Sequence, residues 1–265
     1  MSVLGPLEVV VDGRPVPITA RRAARLLAAL VLAGGKPVGV GRLIECVWGD
    51  RSPPTAEAQL QTVVWRLRLV LAEVGVPGGT IRRTAGGYLL PEAAFTTDLG
   101  RFRAEVAAAR AELGANRPDS AAAVLRSALA RWRAPALLGI GGGALATTAE
   151  RLEEERQGVL EQRLRLEVLC GRHRAVVAEL REQVDQHPLR ESLACTLAMA
   201  LYRSGRVGDA LGVIRRARAR LRDDLGMDPG RELPAVERAI LRQSTGFTAA
   251  ECRAELRQIQ RALEG

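Results

Sequence analysis

Amide, hydroxyl and guanidinium side chains share one side of a helix predicted between Pro54 and Gly75. Four apolar residues at helical spacing predict its buried side: Leu60, Val64, Leu67 and Leu71. A turn of about 100° per residue places on the opposite side Thr62 and Trp65, flanked by Gln59, Gln61, Arg66 and Arg68. Such groups bond base edges or phosphates in the DNA major groove, although a plain solvated face is the better explanation for an isolated helix.

The elements around this helix favour DNA binding. Two shorter helices are predicted before it, and the segment IRRTAGGYLL after it predicts two strands joined by an Ala85-Gly86-Gly87 turn. Arg82 and Arg83 lie beside the glycine-rich tip. A basic helix that follows a two-helix scaffold and precedes a hairpin is the element order of a winged helix-turn-helix.

The start of the chain predicts a small antiparallel sheet. Apolar residues alternate along the strand before Asp12-Gly13, which is a strong hairpin signal. Thr19 is placed to cap the first helix, which we expect to end at Gly34-Gly35. A Pro-Val-Gly connection, residues 37–39, then leads into the second helix, which we expect to end at Gly49.

From Asp98 the pattern is helical almost to the end of the chain. Gly171 and Gly205 mark similar helix joints 34 residues apart, and Pro188 lies between them. This spacing equals the tetratricopeptide period. We therefore expect a mainly α protein with a small amount of β: a winged-helix domain over 1–95 and an all-α tetratricopeptide-like domain over 96–243. A loosely attached helical tail is expected over 244–265.

Composition adds little to the case for DNA. The net charge is +9, but only Lys36 among the 39 basic residues is a lysine, and a GC-rich coding sequence explains so much arginine equally well. The four cysteines lie far apart without C-x-x-C spacing, which argues against a zinc site and a disulfide framework: Cys46, Cys170, Cys195 and Cys252. With neither a leader nor a long apolar run, we expect buried thiols in a cytoplasmic protein with no membrane partner.

No arrangement of residues predicts catalysis. The segment GIGGGA at 139–144 lacks the preceding strand and following lysine of a phosphate loop, which favours a flexible interhelical loop. His173 and His187 lie too far apart to suggest a ligand pair. We expect no enzyme, no cofactor and no metal. The alternative to DNA binding is a helical-repeat interaction scaffold or ligand sensor without specific DNA recognition.

Ordered sequence blocks resemble the SARP family, the Streptomyces antibiotic regulatory proteins, over residues 3 to 242. The winged-helix blocks are RLIECVWGDRSPP, AQLQTVVWRLRLVL and IRRTAGGYLL. The blocks of the activation domain include DLGRFRAEVAAAR from 98, WRAPAL from 132, HPLRESLACTLAMALYRSGRVGDAL from 187 and DLGMDPGRELPAVERAIL from 224. The resemblance implies a response-regulator-type winged helix followed by a bacterial transcriptional activation domain.

The resemblance also implies roles for individual residues. Positions that face DNA are Gln59, Gln61, Thr62, Arg66 and Arg68. Positions near the DNA backbone or the wing base are Trp48, Arg83, Thr84 and Tyr88. The implied polymerase-contact loop comprises Asp50, Arg51, Ser52, Pro53 and Pro54. Trp65 departs from the family pattern, and its indole either stacks on sugar and thymine methyls or covers an intramolecular surface.

The function implied by the resemblance is sequence-specific transcriptional activation. A homodimer would bind direct repeats near the promoter −35 region and recruit RNA polymerase holoenzyme through sigma region 4 and other subunits. The target would be a secondary-metabolite, or antibiotic, gene cluster.

Overall fold

The computed structural model describes residues 1–242 and 249–263, with the side chains of 249–253 outside the description. The chain forms two compact units, one of residues 1–104 with 128–156 and the other of 105–127 with 157–265. The described part holds eleven α-helices and five short strands, which confirms the mainly α fold class. None of these helices is both long and apolar enough to cross a bilayer.

A winged helix occupies most of the first unit. In chain order its elements are β1 (Val9–Val11), β2 (Arg14–Val16), α1 (Arg21–Leu32), β3 (Val38–Gly39), α2 (Val40–Trp48), α3 (Ala56–Glu73), β4 (Arg82–Thr84) and β5 (Gly87–Leu89). Strands β1 and β2 pair antiparallel around the predicted Asp12-Gly13 turn. A second antiparallel sheet has the order β3-β5-β4.

Two local expectations in this domain are wrong. Thr19 does not cap α1: the N-cap residue is Ala20, and no side chain bonds the free N–H groups there. Residues 37–39 are more than a connection, because Val38 pairs with Tyr88 as strand β3. A Cβ at Gly87 would lie 1.9 Å from the Val38 carbonyl oxygen, so this strand approach requires glycine at the start of β5.

Three helices build the core of the winged helix. The predicted stripe of α3 is buried, with Leu60, Val64, Leu67 and Leu71 each at most 2% exposed. Leu27 of α1 and Leu43 of α2 are fully buried beside it. The stripe therefore turns the opposite side of α3 away from the core.

The first unit also includes later parts of the chain. The Arg133 and Leu137 amides donate to the carbonyls of Leu4 and Val3. Phe102 meets Trp132 edge-on, with ring centroids 5.6 Å apart. Three helices contribute residues to both units: α4 (Asp98–Gly114), α5 (Pro118–Leu129) and α6 (Ala144–Leu169). The division of the chain at residue 95 remains a prediction.

The second unit is helical throughout its described part. After α6 it contains α7 (His173–Gln186), α8 (Glu191–Arg203), α9 (Val207–Leu225), α10 (Glu232–Leu241) and α11 (Ala249–Ala262). The joints at Gly171 and Gly205 have positive φ angles, and Pro188 lies between α7 and α8, as the sequence predicts. Leu180, Leu197 and Ile214 pack in one core that joins α7, α8 and α9.

The tail is packed where it is described. Residues 243–248, 264 and 265 lie outside the described part of the chain. Within α11, Glu255 forms an ion pair with Arg165, and Ile259 is fully buried. The expected loose attachment is therefore wrong for this helix. The sequence pattern shows an amphipathic helix but does not reveal Arg165 as the partner of Glu255.

The predicted burial of the thiols holds for Cys46 and Cys195. Burial raises the pKa of both. Cys170 is half-buried, and the side chain of Cys252 lies outside the description.

Candidate nucleic-acid interface

The outer side of α3 is a polar surface with one large aromatic group in its middle. Gln61, Thr62 and Arg66 are exposed, and Trp65 exposes 58% of its surface. These residues lie opposite the buried stripe, so the packing of α3 itself presents them to solvent. Within its own chain the Trp65 indole covers little, which weighs against the intramolecular alternative for this residue.

The beginning of α3 is tied to α1. Gln59 is half-buried, and its Oε1 accepts a hydrogen bond from Arg22 Nη1 at 3.4 Å. Its Nε2 donates to Thr55 Oγ1 at 2.9 Å. The Thr62 hydroxyl donates to the Ala58 carbonyl at 3.4 Å. Gln59 is thus held in place, whereas Gln61, two residues later on α3, is exposed.

Arg66 and Arg68 have different surroundings although both were predicted to face DNA. The Arg66 side chain is exposed. Arg68 is half-buried, and its Nη2 donates to the Ile81 carbonyl at 2.5 Å, just before β4. The structure therefore gives Arg68 a bracing contact between α3 and the hairpin, and its contact with DNA stays a prediction.

The β4–β5 hairpin forms a wing after α3. Arg82 and Arg83 are exposed on β4, and Thr84 is half-buried next to the tip. Tyr88 is only 5% exposed, between its cross-strand partners Val38 and Arg83. Tyr88 thus belongs to the base of the wing, where β3 joins the hairpin.

The loop before α3 starts from a half-buried tryptophan. The Arg22 guanidinium carbon lies 5.4 Å from the centroid of the Trp48 ring, within cation–π range. The Trp48 Nε1 is buried and has no hydrogen-bond partner in the described part of the chain. The loop that follows is exposed apart from one half-buried proline; its residues are Asp50, Arg51, Ser52, Pro53 and Pro54.

The sequence predicted α1 only as a scaffold helix, so the roles of Arg22 and Arg25 were missed. Arg22 contacts both Trp48 and Gln59, while Arg25 bonds backbone carbonyls of α2 and of a distant loop. The spacing of three residues puts both arginines on one side of α1, which is the only signal the sequence offers. Their partners are not visible in the sequence.

Most of the chain is similar in sequence to known proteins. The family described as Bacterial transcriptional activator domain matches residues 97–241. The chain is 38% identical over 244 residues to Transcriptional regulatory protein EmbR of Mycobacterium tuberculosis. This alignment covers 91% of the present chain and 63% of EmbR. It is 32% identical over 254 residues to Regulatory protein DnrI of Streptomyces peucetius, and this alignment covers 93% of both proteins.

A solved structure has the same fold. Mycobacterium tuberculosis EmbR in complex with a low affinity phosphopeptide matches with a TM-score of 0.89 and 35% sequence identity. The match covers 100% of this chain and 68% of that one. In the sequence alignment the chain spans 63% of the length of EmbR.

Proposed function

This chain belongs to the SARP family of transcriptional regulators, and we propose that it binds promoter DNA sequence-specifically through α3 and activates transcription. The observation that carries the proposal is the exposed trio Gln61, Thr62 and Arg66, opposite the buried stripe of α3. Glutamine bonds adenine, arginine bonds guanine in bidentate fashion, and a threonine methyl contacts thymine. One helix side thus carries the groups needed to distinguish bases.

The wing supports a second contact with the duplex. Arg82 and Arg83 are exposed on β4, where their charges suit phosphate oxygens. Arg68 and Tyr88 lie at the base of this hairpin and support its position relative to α3. In this proposal α3 specifies the sequence, whereas the wing fixes orientation on the DNA backbone.

The finer proposal concerns the promoter. A homodimer binds direct repeats about one helical turn apart near the −35 region, because tandem modules must present the same face of the duplex. The exposed Asp50–Pro54 loop then contacts RNA polymerase holoenzyme, with sigma region 4 and other subunits as partners. Added binding energy at a weak promoter raises transcription. The proposed target is a secondary-metabolite, or antibiotic, gene cluster.

The DNA part of the proposal is tested with Arg66→Ala. We expect a loss of about 1 to 3 kcal/mol in specific binding, the range of one bidentate base contact. The matched control is Arg215→Ala, which removes an exposed arginine from α9. Fluorescence anisotropy measures both variants on the gene's own upstream region and on shuffled DNA, at rising salt. Equal affinities of Arg66→Ala and wild type on the specific site would contradict the role of Arg66.

The polymerase part of the proposal needs a different variant. Arg51→Gln removes a charge from the loop without touching α3, so we expect unchanged DNA affinity and reduced transcription with purified holoenzyme. If DNA affinity and transcription fall by the same factor, the loop belongs to the DNA surface instead.

One observation favours the alternative function, a ligand sensor or interaction scaffold. The second unit contains an open cavity of about 440 Å³ lined by apolar groups such as Val168, Met199 and Val236. Arg165 and Glu232, which form an ion pair, also line this cavity. The two functions separate in the anisotropy experiment: specific DNA binding requires a base preference that survives rising salt, and its complete absence would favour the sensor or scaffold.

A further inference from the structure

A single side chain of α1 holds the connection between α5 and α6. Arg25 donates from Nε to the Ile140 carbonyl at 3.0 Å and from Nη2 to the Gly141 carbonyl at 2.9 Å. Its Nη1 donates to the Val47 carbonyl near the end of α2, at 3.1 Å. Burial lowers the pKa of this half-buried guanidinium from its ordinary value. Arg25 thereby links residues 139–143, here called the glycine connection, to α2.

The glycine connection also touches the start of the α2–α3 loop. A Cβ at Gly143 would lie 2.7 Å from the Gly49 Cα and 2.8 Å from the Glu45 carbonyl oxygen. Real Cβ atoms essentially never come this close to other heavy atoms, so this approach of two backbones requires glycine. Gly49 directly precedes Asp50, and the contact therefore sets where the exposed loop begins.

A second arginine of α1 holds the other end of the same loop. Arg22 lies over the Trp48 ring and donates to Gln59 in the first turns of α3. Arg22 and Arg25, three residues apart on one helix, thus bracket the chain from Val47 to Gln59. Side chains on the rigid α1 can hold a short exposed loop in one conformation at little cost in entropy.

We propose that the glycine connection supports the Asp50–Pro54 loop by packing against Gly49, where the loop begins. In this proposal Arg25 is a positioning residue, which keeps that loop in its polymerase-binding conformation. The inference rests on the proposed contact between this loop and RNA polymerase. Residues 139–143 lie within the match to the activator domain, yet in the same compact unit as the winged helix. A segment of the activator domain thereby shapes the surface that the DNA-binding domain offers to polymerase.

Two glycines with similar positive φ angles provide a matched pair of variants: Gly143 in the connection, at +52°, and Gly34 after α1, at +57°. Gly143→Ala introduces the clash with Gly49 and Glu45, whereas a Cβ at Gly34 meets nothing within 4 Å. Overpacking a close contact is expected to shift the conformational equilibrium of the loop and lower transcription about tenfold in Gly143→Ala. Gly34→Ala carries the same backbone strain without the clash and should transcribe like wild type. The assay uses the full chain with purified RNA polymerase holoenzyme on its own promoter, and anisotropy should show unchanged DNA affinity for both variants.

Arg25→Lys tests the same idea without adding atoms at the contact. Lysine keeps the positive charge but lacks the planar fork that reaches three carbonyls at once. We expect reduced transcription together with faster hydrogen exchange of the Gly49 amide, which donates to the Glu45 carbonyl at 2.9 Å where the loop begins, while the amides of α3 keep their protection. A general loss of stability would instead speed exchange in α3 as well.

The outcomes separate the inference from the function on which it rests. If Gly143→Ala and Arg25→Lys transcribe like Gly34→Ala, or if their DNA affinity falls by the same factor as transcription, the supporting role of the glycine connection is refuted. Faster exchange in α3 together with the loop would likewise overturn it, since Arg25 would then serve only the fold. If wild type binds its promoter without raising transcription, the proposed function itself fails.

Discussion

A methyl group added at Gly87 is expected to separate β3 from β5 and to destabilise the wing. The new Cβ would lie 1.9 Å from the Val38 carbonyl oxygen and 2.9 Å from the Gly39 Cα. Relief of this overlap requires β3 to move by about 1.5 Å, which breaks its pairing with β5. Loss of two backbone hydrogen bonds at about 1 kcal/mol each lowers the free energy of unfolding of the first unit by about 2 kcal/mol.

The neighbouring glycine supplies the control for this experiment. A Cβ at Gly86 meets nothing within 4 Å, so Gly86→Ala should change the free energy of unfolding by less than about 0.5 kcal/mol. The three tryptophans, Trp48, Trp65 and Trp132, all lie in the first unit. Their fluorescence during urea unfolding therefore reports on that unit. Equal midpoints for the two variants would show that the close approach of β3 to β5 does not stabilise the wing.

The burial of Leu67 and His173 and the exposure of Trp65 each predict the effect of a substitution. Leu67→Ala should lower the free energy of unfolding by about 3 kcal/mol, because Leu67 is fully buried, whereas Leu69→Ala on the exposed side should have little effect in the same urea titration. Burial lowers the pKa of His173, so as the pH falls the unfolded chain binds a proton before the folded chain does. The free energy of unfolding, measured by circular dichroism, should therefore decrease as the pH drops below 6.5. His173→Gln should reduce that decrease. Trp65→Ala should weaken DNA binding in anisotropy without altering stability, and a matching loss of stability would mean that the indole packs internally.

The helices and the hairpin of the winged helix could be predicted because each carries its own local signal. The stripe of α3 has the 3.6-residue period of a helix with one buried side, and all four of its residues are buried. The Asp12-Gly13 turn and the glycine-rich tip at 85–87 mark hairpins by turn chemistry alone. Periodicity and turns are properties of short segments, so a single sequence suffices to find them.

Contacts between distant segments escaped prediction for a physical reason. Arg25 bonds carbonyls 115 and 116 residues away, and every residue has a carbonyl, so the sequence does not mark the partner. Strand β3 has two residues and shows no alternation. Gly87 and Gly143 are required by close backbone approaches, but a glycine in a sequence fits a turn or a flexible loop equally well. The elements of the site were therefore predictable, whereas the contacts that position its loop were not.

Several arginines of the winged helix bind groups of their own chain, so the net charge overstates the number of cations that are free to contact DNA. Arg22, Arg25 and Arg68 bond groups of their own chain, so much of the cationic charge near α3 serves its positioning.

The exposed cations of the proposed surface are Arg66 on α3 with Arg82 and Arg83 on the wing. Each phosphate contact contributes about −0.9 to the slope of log affinity against log salt concentration, so three contacts predict a slope of roughly −3 per protomer. Removing Arg83 by an Arg83→Ala change should reduce the slope by about 1, measured by anisotropy between low and moderate salt. A slope several times steeper in wild type would mean that the net charge of the whole chain, rather than these three side chains, governs the encounter with DNA.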